Sequence, residues 1–224
     1  VPGGRDHGLP GGAEIQETAV SPGQDRKPGK ADCVRNPQAL QPGGNGGYLL
    51  LENDFIETTY FVELAPDNFT TYSAKFLKLL LAVGSEIDVA LREYCRQLGA
   101  QDKLDSIAAY RTAIKTYEQN GEESLYVQTV LSVNEIRLKP WDAWYSEKEQ
   151  SPDWWNNYNA VKHKRTSVGN NKQANYKLAN LENVFNALGA LYQILLNLYK
   201  HLVAASDHVR MPLRGSKVFR LSSP

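Results

Sequence analysis

The sequence predicts a mainly α fold with a minor β part: a helical bundle of about four helices carrying a few short peripheral strands. Three observations predict it. Phe76, Leu80, Val83, Ile87, Leu91, Tyr94 and Leu98 recur at spacings of four and three, as do Leu181, Val184, Leu188, Leu191, Leu195, Leu198 and Leu202. Each set draws one apolar stripe along a helix. Segments with strand character are all short. Apolar residues make up 42% of the 224, enough for one sizeable core.

In chain order, residues 1–47 hold 11 of the 17 glycines and six of the 11 prolines. Such a segment buries little and costs much to order, so disorder is expected there. Residues 48–224 are expected to form a single domain. Residues 48–51 and 55–64 are rich in aromatic, β-branched and apolar side chains and are read as short strands, turning near residues 52–54. Pro66 closes that segment, and Asp67, Thr70 or Thr71 is a candidate cap for a helix over 72–98 that stops at Gly99. A second helix is expected over 103–119, with Leu104, Ile107, Ala108, Tyr110, Ile114 and Tyr117 apolar, ended by Asn120-Gly121. Residues 126–131 and 133–138 read as extended. The run Pro140-Trp141-Asp142-Ala143-Trp144-Tyr145 is aromatic without a period, which suits a packed loop. Ser151 as cap, Pro152 in the first turn and Asp153 at the positive dipole end open a helix to Arg165. A polar loop follows over 168–173, then a long helix over 174–206 and a short strand over 217–221.

The chain carries 25 basic and 25 acidic residues, which excludes a wholly basic nucleic-acid coat protein and an acidic tail. Neutrality conceals a division. Residues 1–47 are balanced; residues 48–153 hold 18 acidic and 10 basic residues, a net of −8; residues 154–224 hold 10 basic and two acidic, a net of +8. Either the two charged parts cancel on packing, or the C-terminal part presents a basic surface to phosphate. Cys33 and Cys95 make neither a disulfide framework nor a zinc site. The apolar runs at 79–83 and 194–196 are too short to span a bilayer, and no basic stretch before an apolar block forms a secretory leader. A cytoplasmic protein without a membrane partner is expected. The chain has no P-loop, dinucleotide fingerprint, H-E-x-x-H, Cys-His metal spacing or G-x-S-x-G elbow, and no cofactor is expected.

Two places break the amphipathic pattern. Glu86 has Ala82, Val83, Val89 and Ala90 as its neighbours three and four residues away, all apolar. Either it sits at the edge of the face and reaches water, or it is a buried charge that needs a cation from another helix. Asp88 is expected to be exposed. The second place is Tyr158-Asn159-Ala160-Val161-Lys162-His163-Lys164-Arg165. Asn159 and His163 share a helix face, and Lys162 and Arg165 lie beside them. Histidine suits proton transfer near neutral pH, and the cations suit a phosphate or its transition-state charge. Cations in a last helical turn also complement the dipole with no function at all, and paired tryptophans more often pack than recognise.

An Asn–three residues–His spacing on one helix, in a small bundle with a Glu-bearing long helix before it, resembles the HEPN superfamily. The resemblance covers residues 70–206. The segment from Pro140-Trp141 through Trp154-Trp155 and His163 to Asn180-Leu181 and Ala187-Leu188 is also similar to uncharacterised bacterial proteins. The superfamily implies a helical bundle and, in many members, a metal-independent endoribonuclease of bacterial defence or toxin–antitoxin systems, acting as a homodimer on RNA. Carried onto this chain, it implies His163 as general acid/base, Asn159 as orienting residue, Lys162 and Arg165 as phosphate-binding cations and Glu86 as their partner. The family motif begins with Arg, and Tyr158 stands there. A tyrosine cannot supply that cation, so the same resemblance also implies an inactive member that binds nucleic acid, nucleotide or a partner protein.

Overall fold

The computed structural model describes residues 43–119, 125, 129–132, 134–169, 172–205 and 215–222. Among the described residues the chain is a bundle of five α-helices with one small antiparallel sheet. In order these are α1 (Gly43–Thr59), α2 (Ala74–Gln97), α3 (Ile107–Gln119), β1 (Thr129–Ser132), β2 (Arg137–Leu138), α4 (Asp153–Lys164), α5 (Leu181–Ala205) and β3 (Phe219–Ser222). The sheet order is β2-β1-β3, with Val130 opposite both Leu138 and Leu221. Among the described residues, no helix is long and apolar enough to cross a membrane.

Helix α5 is the axis of the core and is buried over most of its circumference. Its most extensive packing is against α2, and α1, α4 and the sheet cover its other sides. Gly189 lets the sheet approach: a Cβ there would stand 3.0 Å from Leu138 Cδ1. The two apolar stripes seen in the sequence are the two facing surfaces of α2 and α5.

The helix ends differ from expectation in instructive ways. Ser73, not Asp67, Thr70 or Thr71, caps α2 by accepting from Phe76 N at 3.1 Å. Gly99 ends that helix at φ +86°, a left-handed conformation glycine adopts freely. Helix α3 begins later than expected because Ser106 accepts from Ala109 N at 3.2 Å. Ser151 does not cap α4; Pro152 holds that position, while Asp153 lies in the first turn as expected. The expected helix over 174–206 is broken into a short 3-10 turn (Asn175–Leu178) and α5. Asn180 marks the break, its Oδ1 accepting from Asn183 N at 3.0 Å.

The expected hairpin over residues 48–64 is overturned: those residues form α1 and the turn after it. Tyr48, Glu52, Phe55 and Thr58 are its buried positions, spaced by four, three and three. Local composition favoured a strand, but the docked stripe has the helical period, and Phe55 stacks on Phe185 with centroids 5.8 Å apart. The helix begins at Gly43, inside the Gly/Pro-rich segment; residues 1–42 of that segment lie outside the described residues.

Glu52 anchors α1. It is fully buried, and its carboxylate accepts from Tyr48 Oη at 3.0 Å, Lys217 N at 3.1 Å and Val218 N at 3.2 Å, and from Ser216 Oγ. Neutral donors surround the carboxylate and tie the turn before β3 to α1. Burial, and then the nearby Glu52 charge, push the Tyr48 phenol well above its ordinary value, so Tyr48 stays a donor. Glu52→Ala leaves those donors buried without an acceptor and is expected to lower the unfolding free energy by about 3 kcal/mol in urea denaturation. An unchanged midpoint would show that the turn is held by other contacts.

Candidate functional site

Helix α4 is fixed on the bundle by aromatic side chains. Trp141, Trp144, Trp154, Trp155 and Tyr158 are all buried. Trp144 and Trp141 lie 4.4 Å apart by ring centroid, Trp141 and Trp154 5.2 Å, Trp154 and Trp155 5.8 Å, and Trp155 and Tyr158 5.2 Å. Trp154 Nε1 donates to Pro140 O at 2.8 Å, so the loop expected to pack does so as the foot of this ladder. At the other end Tyr158 lies on Gly84 of α2. A Cβ at Gly84 would stand 2.4 Å from Tyr158 Cε2; only glycine admits the ring.

Beside this seat an open cavity of about 410 Å³ lies between α2, α4 and the start of α3. Ser85, Asp88 and Arg92 of α2 line one side, and Trp155, Asn159 and Lys162 of α4 line the other. Arg92 Nη2 pairs with Asp88 Oδ2 at 2.8 Å. Tyr110 Oη donates to Asp88 Oδ1 at 2.9 Å and accepts from Arg92 at 3.3 Å. Burial pushes the Tyr110 phenol up, which keeps it protonated as that donor. Lys162 Nζ lies 5.4 Å from the Tyr158 ring centroid and forms no ion pair among the described residues. Asn159 Nδ2 donates to Trp155 O at 3.0 Å.

The residues singled out in the sequence are divided by this arrangement. Asn159 and Lys162 line the cavity; Glu86, His163 and Arg165 are exposed and do not. Among the described residues no hydrogen bond joins Asn159 to His163, and neither His163 nor Glu86 has an ion-pair partner. The reading of Glu86 as a buried charge is corrected: two of its apolar neighbours, Ala82 and Val89, are themselves exposed, so the carboxylate meets water. The half-buried carboxylate is Asp88, which was expected to be exposed. Gly84 was overlooked, although an isolated glycine inside an apolar helical stripe signals a close approach. The Asp88–Arg92 spacing of four was also readable. Tyr110 was read only as an apolar stripe residue, because its hydroxyl finds Asp88 through tertiary packing.

A second feature lies where α4 ends. Tyr176 N donates to Arg165 O at 3.0 Å, and Asn175 Nδ2 donates to Lys164 O at 2.9 Å. These bonds set the 3-10 turn against the end of α4. Tyr176 and Tyr72 are 42% and 44% exposed, with ring centroids 5.8 Å apart. Lys177 Nζ lies 5.4 Å from the Tyr72 ring centroid. The backbone of Lys164 and Arg165 thus joins the turn that carries Tyr176 and Lys177, and the three cations form no ion pair among the described residues.

No family model, no curated protein and no solved structure matches this chain. Among the described residues no group of three or more His, Cys, Asp or Glu side chains is placed to hold a metal ion.

Gly84→Ala opposes two effects. Alanine gains about 1 kcal/mol of helix propensity, while overpacking a buried contact costs about 1–3 kcal/mol. Tyr158 is buried with its ring centroid 5.2 Å from that of Trp155, so relieving the clash displaces packed aromatic side chains. Gly84→Ala is expected to lower the unfolding free energy by about 1 kcal/mol in chemical denaturation. A variant as stable as the wild type, or more stable, would show that the seat is loose.

Proposed function

We propose that this protein is a catalytically silent HEPN-like module that binds single-stranded RNA through the basic, aromatic surface at the end of α4. One observation carries the reading: along a single helix, Tyr158 is buried on Gly84 in the place of the motif's Arg, while Lys164 and Arg165 stand exposed beside Tyr176. The position that would bring the catalytic cation packs the bundle, and the free cations lie where a strand could reach them. Cations hold backbone phosphates, and exposed rings stack unpaired bases without regard to sequence. The charge of the C-terminal part supports the same reading. His163 lacks the partners that would orient it for proton transfer, since neither Asn159 nor Glu86 reaches it.

Fluorescence anisotropy with a labelled single-stranded RNA tests this. Three phosphate contacts give a slope of log K against log salt of about −2, and Lys177→Ala lowers its magnitude by about 0.7. Tyr176→Ala weakens binding by about tenfold, the cost of one stacked base. RNA incubated with the protein in EDTA stays intact, for the wild type and for His163→Ala alike. Cleavage by the wild type and not by His163→Ala would establish the ribonuclease instead. No salt-sensitive binding would remove the RNA reading.

A further inference from the structure

We propose that the cavity where α4 and α5 begin is a binding site for a neutral hexose, free or as the end unit of a disaccharide. The cavity holds about 420 Å³ and lies between the loop after β2, the first turns of α4 and α5, and the end of the 3-10 turn before α5. It shares no residue with the surface at the end of α4 and stands independently of the RNA reading. Asparagine sets its chemistry: Asn157, Asn180, Asn183 and Asn186 all line it. Asn183 is buried and spends its carboxamide on the fold. Its Oδ1 accepts from Asn157 Nδ2 at 3.1 Å, and its Nδ2 donates to Leu178 O at 2.9 Å. Its backbone N–H donates to Asn180 Oδ1 at 3.0 Å. Asn186 Nδ2 donates to Glu182 O at 3.0 Å. A carboxamide has two N–H donors and two acceptor lone pairs, so these anchors fix the groups in advance and leave part of each unused. Among the described residues, Asn157 and Asn186 keep Oδ1 as an acceptor and Asn180 keeps Nδ2 as a donor.

Fixed donors and acceptors side by side match the hydroxyls of a sugar, each of which both gives and takes hydrogen bonds. Ala143, Pro152 and Leu178 supply apolar wall for the C–H faces of the ring. The volume falls in the range of small-molecule sites, roughly 300–1,000 Å³. Charge selects a neutral ligand. Asp153 and Glu182 line the cavity, each in the first turn of its helix, and neither forms an ion pair among the described residues. The two helix starts contribute about half a positive charge each, and Lys139 adds one more. These balance the two carboxylates, so the cavity favours neither an anion nor a cation, while the carboxylates remain strong acceptors for hydroxyl groups. Helix propensity points the same way. Asparagine is a poor helix former, yet Asn157, Asn183 and Asn186 lie inside helices. Asn183 has a packing role that offsets the cost; Asn186 has only its bond to the Glu182 carbonyl.

Saturation-transfer NMR on the full chain tests this with glucose, galactose, mannose, maltose and lactose, and with glucuronate and glucosamine as charged comparisons. At least one neutral sugar is expected to bind saturably, and more tightly than either charged one. Asn157→Ala and Asn186→Ala should each weaken it by about fivefold, the loss of one hydrogen bond. Circular dichroism of each variant confirms that it is folded, and Asn186→Ala keeps the contacts that Asn183 makes. Failure of all five neutral sugars to bind saturably would overturn the proposal, as would affinity unchanged in both variants. Tighter binding of glucuronate or glucosamine would contradict the charge argument and replace the neutral sugar with an ionic ligand.

Discussion

Helix α4 meets α2 through an aromatic ring laid on a glycine. Tyr158 of α4 rests on the backbone of α2 at Gly84, where a single added carbon would stand 2.4 Å from the ring. That constraint fixes how near α4 lies to α2. A helix pair held so closely at one level leaves a gap at the next, where Asp88 and Arg92 on one side face Asn159 and Lys162 on the other.

The remainder of the fold holds that contact in register. The tryptophan ladder fixes α4 from its N-terminal end, through the Trp154 bond to Pro140. Helix α5 supplies the common apolar wall, and Glu52 closes the far side by tying α1 to the turn that enters β3. Glu52 and Asp88 solve one problem in two ways. Glu52 is wholly buried and satisfied by hydroxyl and backbone donors, whereas Asp88 is half-buried and keeps an arginine. Only the second leaves a charged pair facing a cavity.

Much of the bundle was legible because α2 and α5 carry stripes of the helical period over more than twenty residues each. The charge division, the packed tryptophan loop and the placement of Asp153 were legible too. Helix α1 was not: aromatic and β-branched residues over 48–64 favour strands locally, and only the buried set Tyr48, Glu52, Phe55 and Thr58 reveals the period. The sequence showed the cations and Asn159 of α4 but could not sort them. Lys162 turns to the cavity and Arg165 to the outer surface because α4 is rotated by its aromatic seat, a property of packing rather than of spacing. Glu86 is exposed and Asp88 half-buried for the same reason: which side of α2 is covered depends on where α4 and α3 land.

The proposed function rests on that sorting. One helix buries Tyr158, lends Asn159 and Lys162 to a cavity, and ends with Lys164 and Arg165 exposed next to the turn that carries Tyr176. Each assignment depends on the ring being seated on Gly84, so the contact itself is the quantity to measure. A double-mutant cycle in urea denaturation, with Gly84→Ala, Tyr158→Ala and the pair, isolates it. With the ring gone, the alanine at position 84 meets no obstacle and keeps its helix propensity, so Gly84→Ala should stabilise the Tyr158→Ala protein by about 1 kcal/mol. The coupling between the two sites should be about 2 kcal/mol. Additive effects, with no coupling, would contradict the seat and the placement of α4 that rests on it.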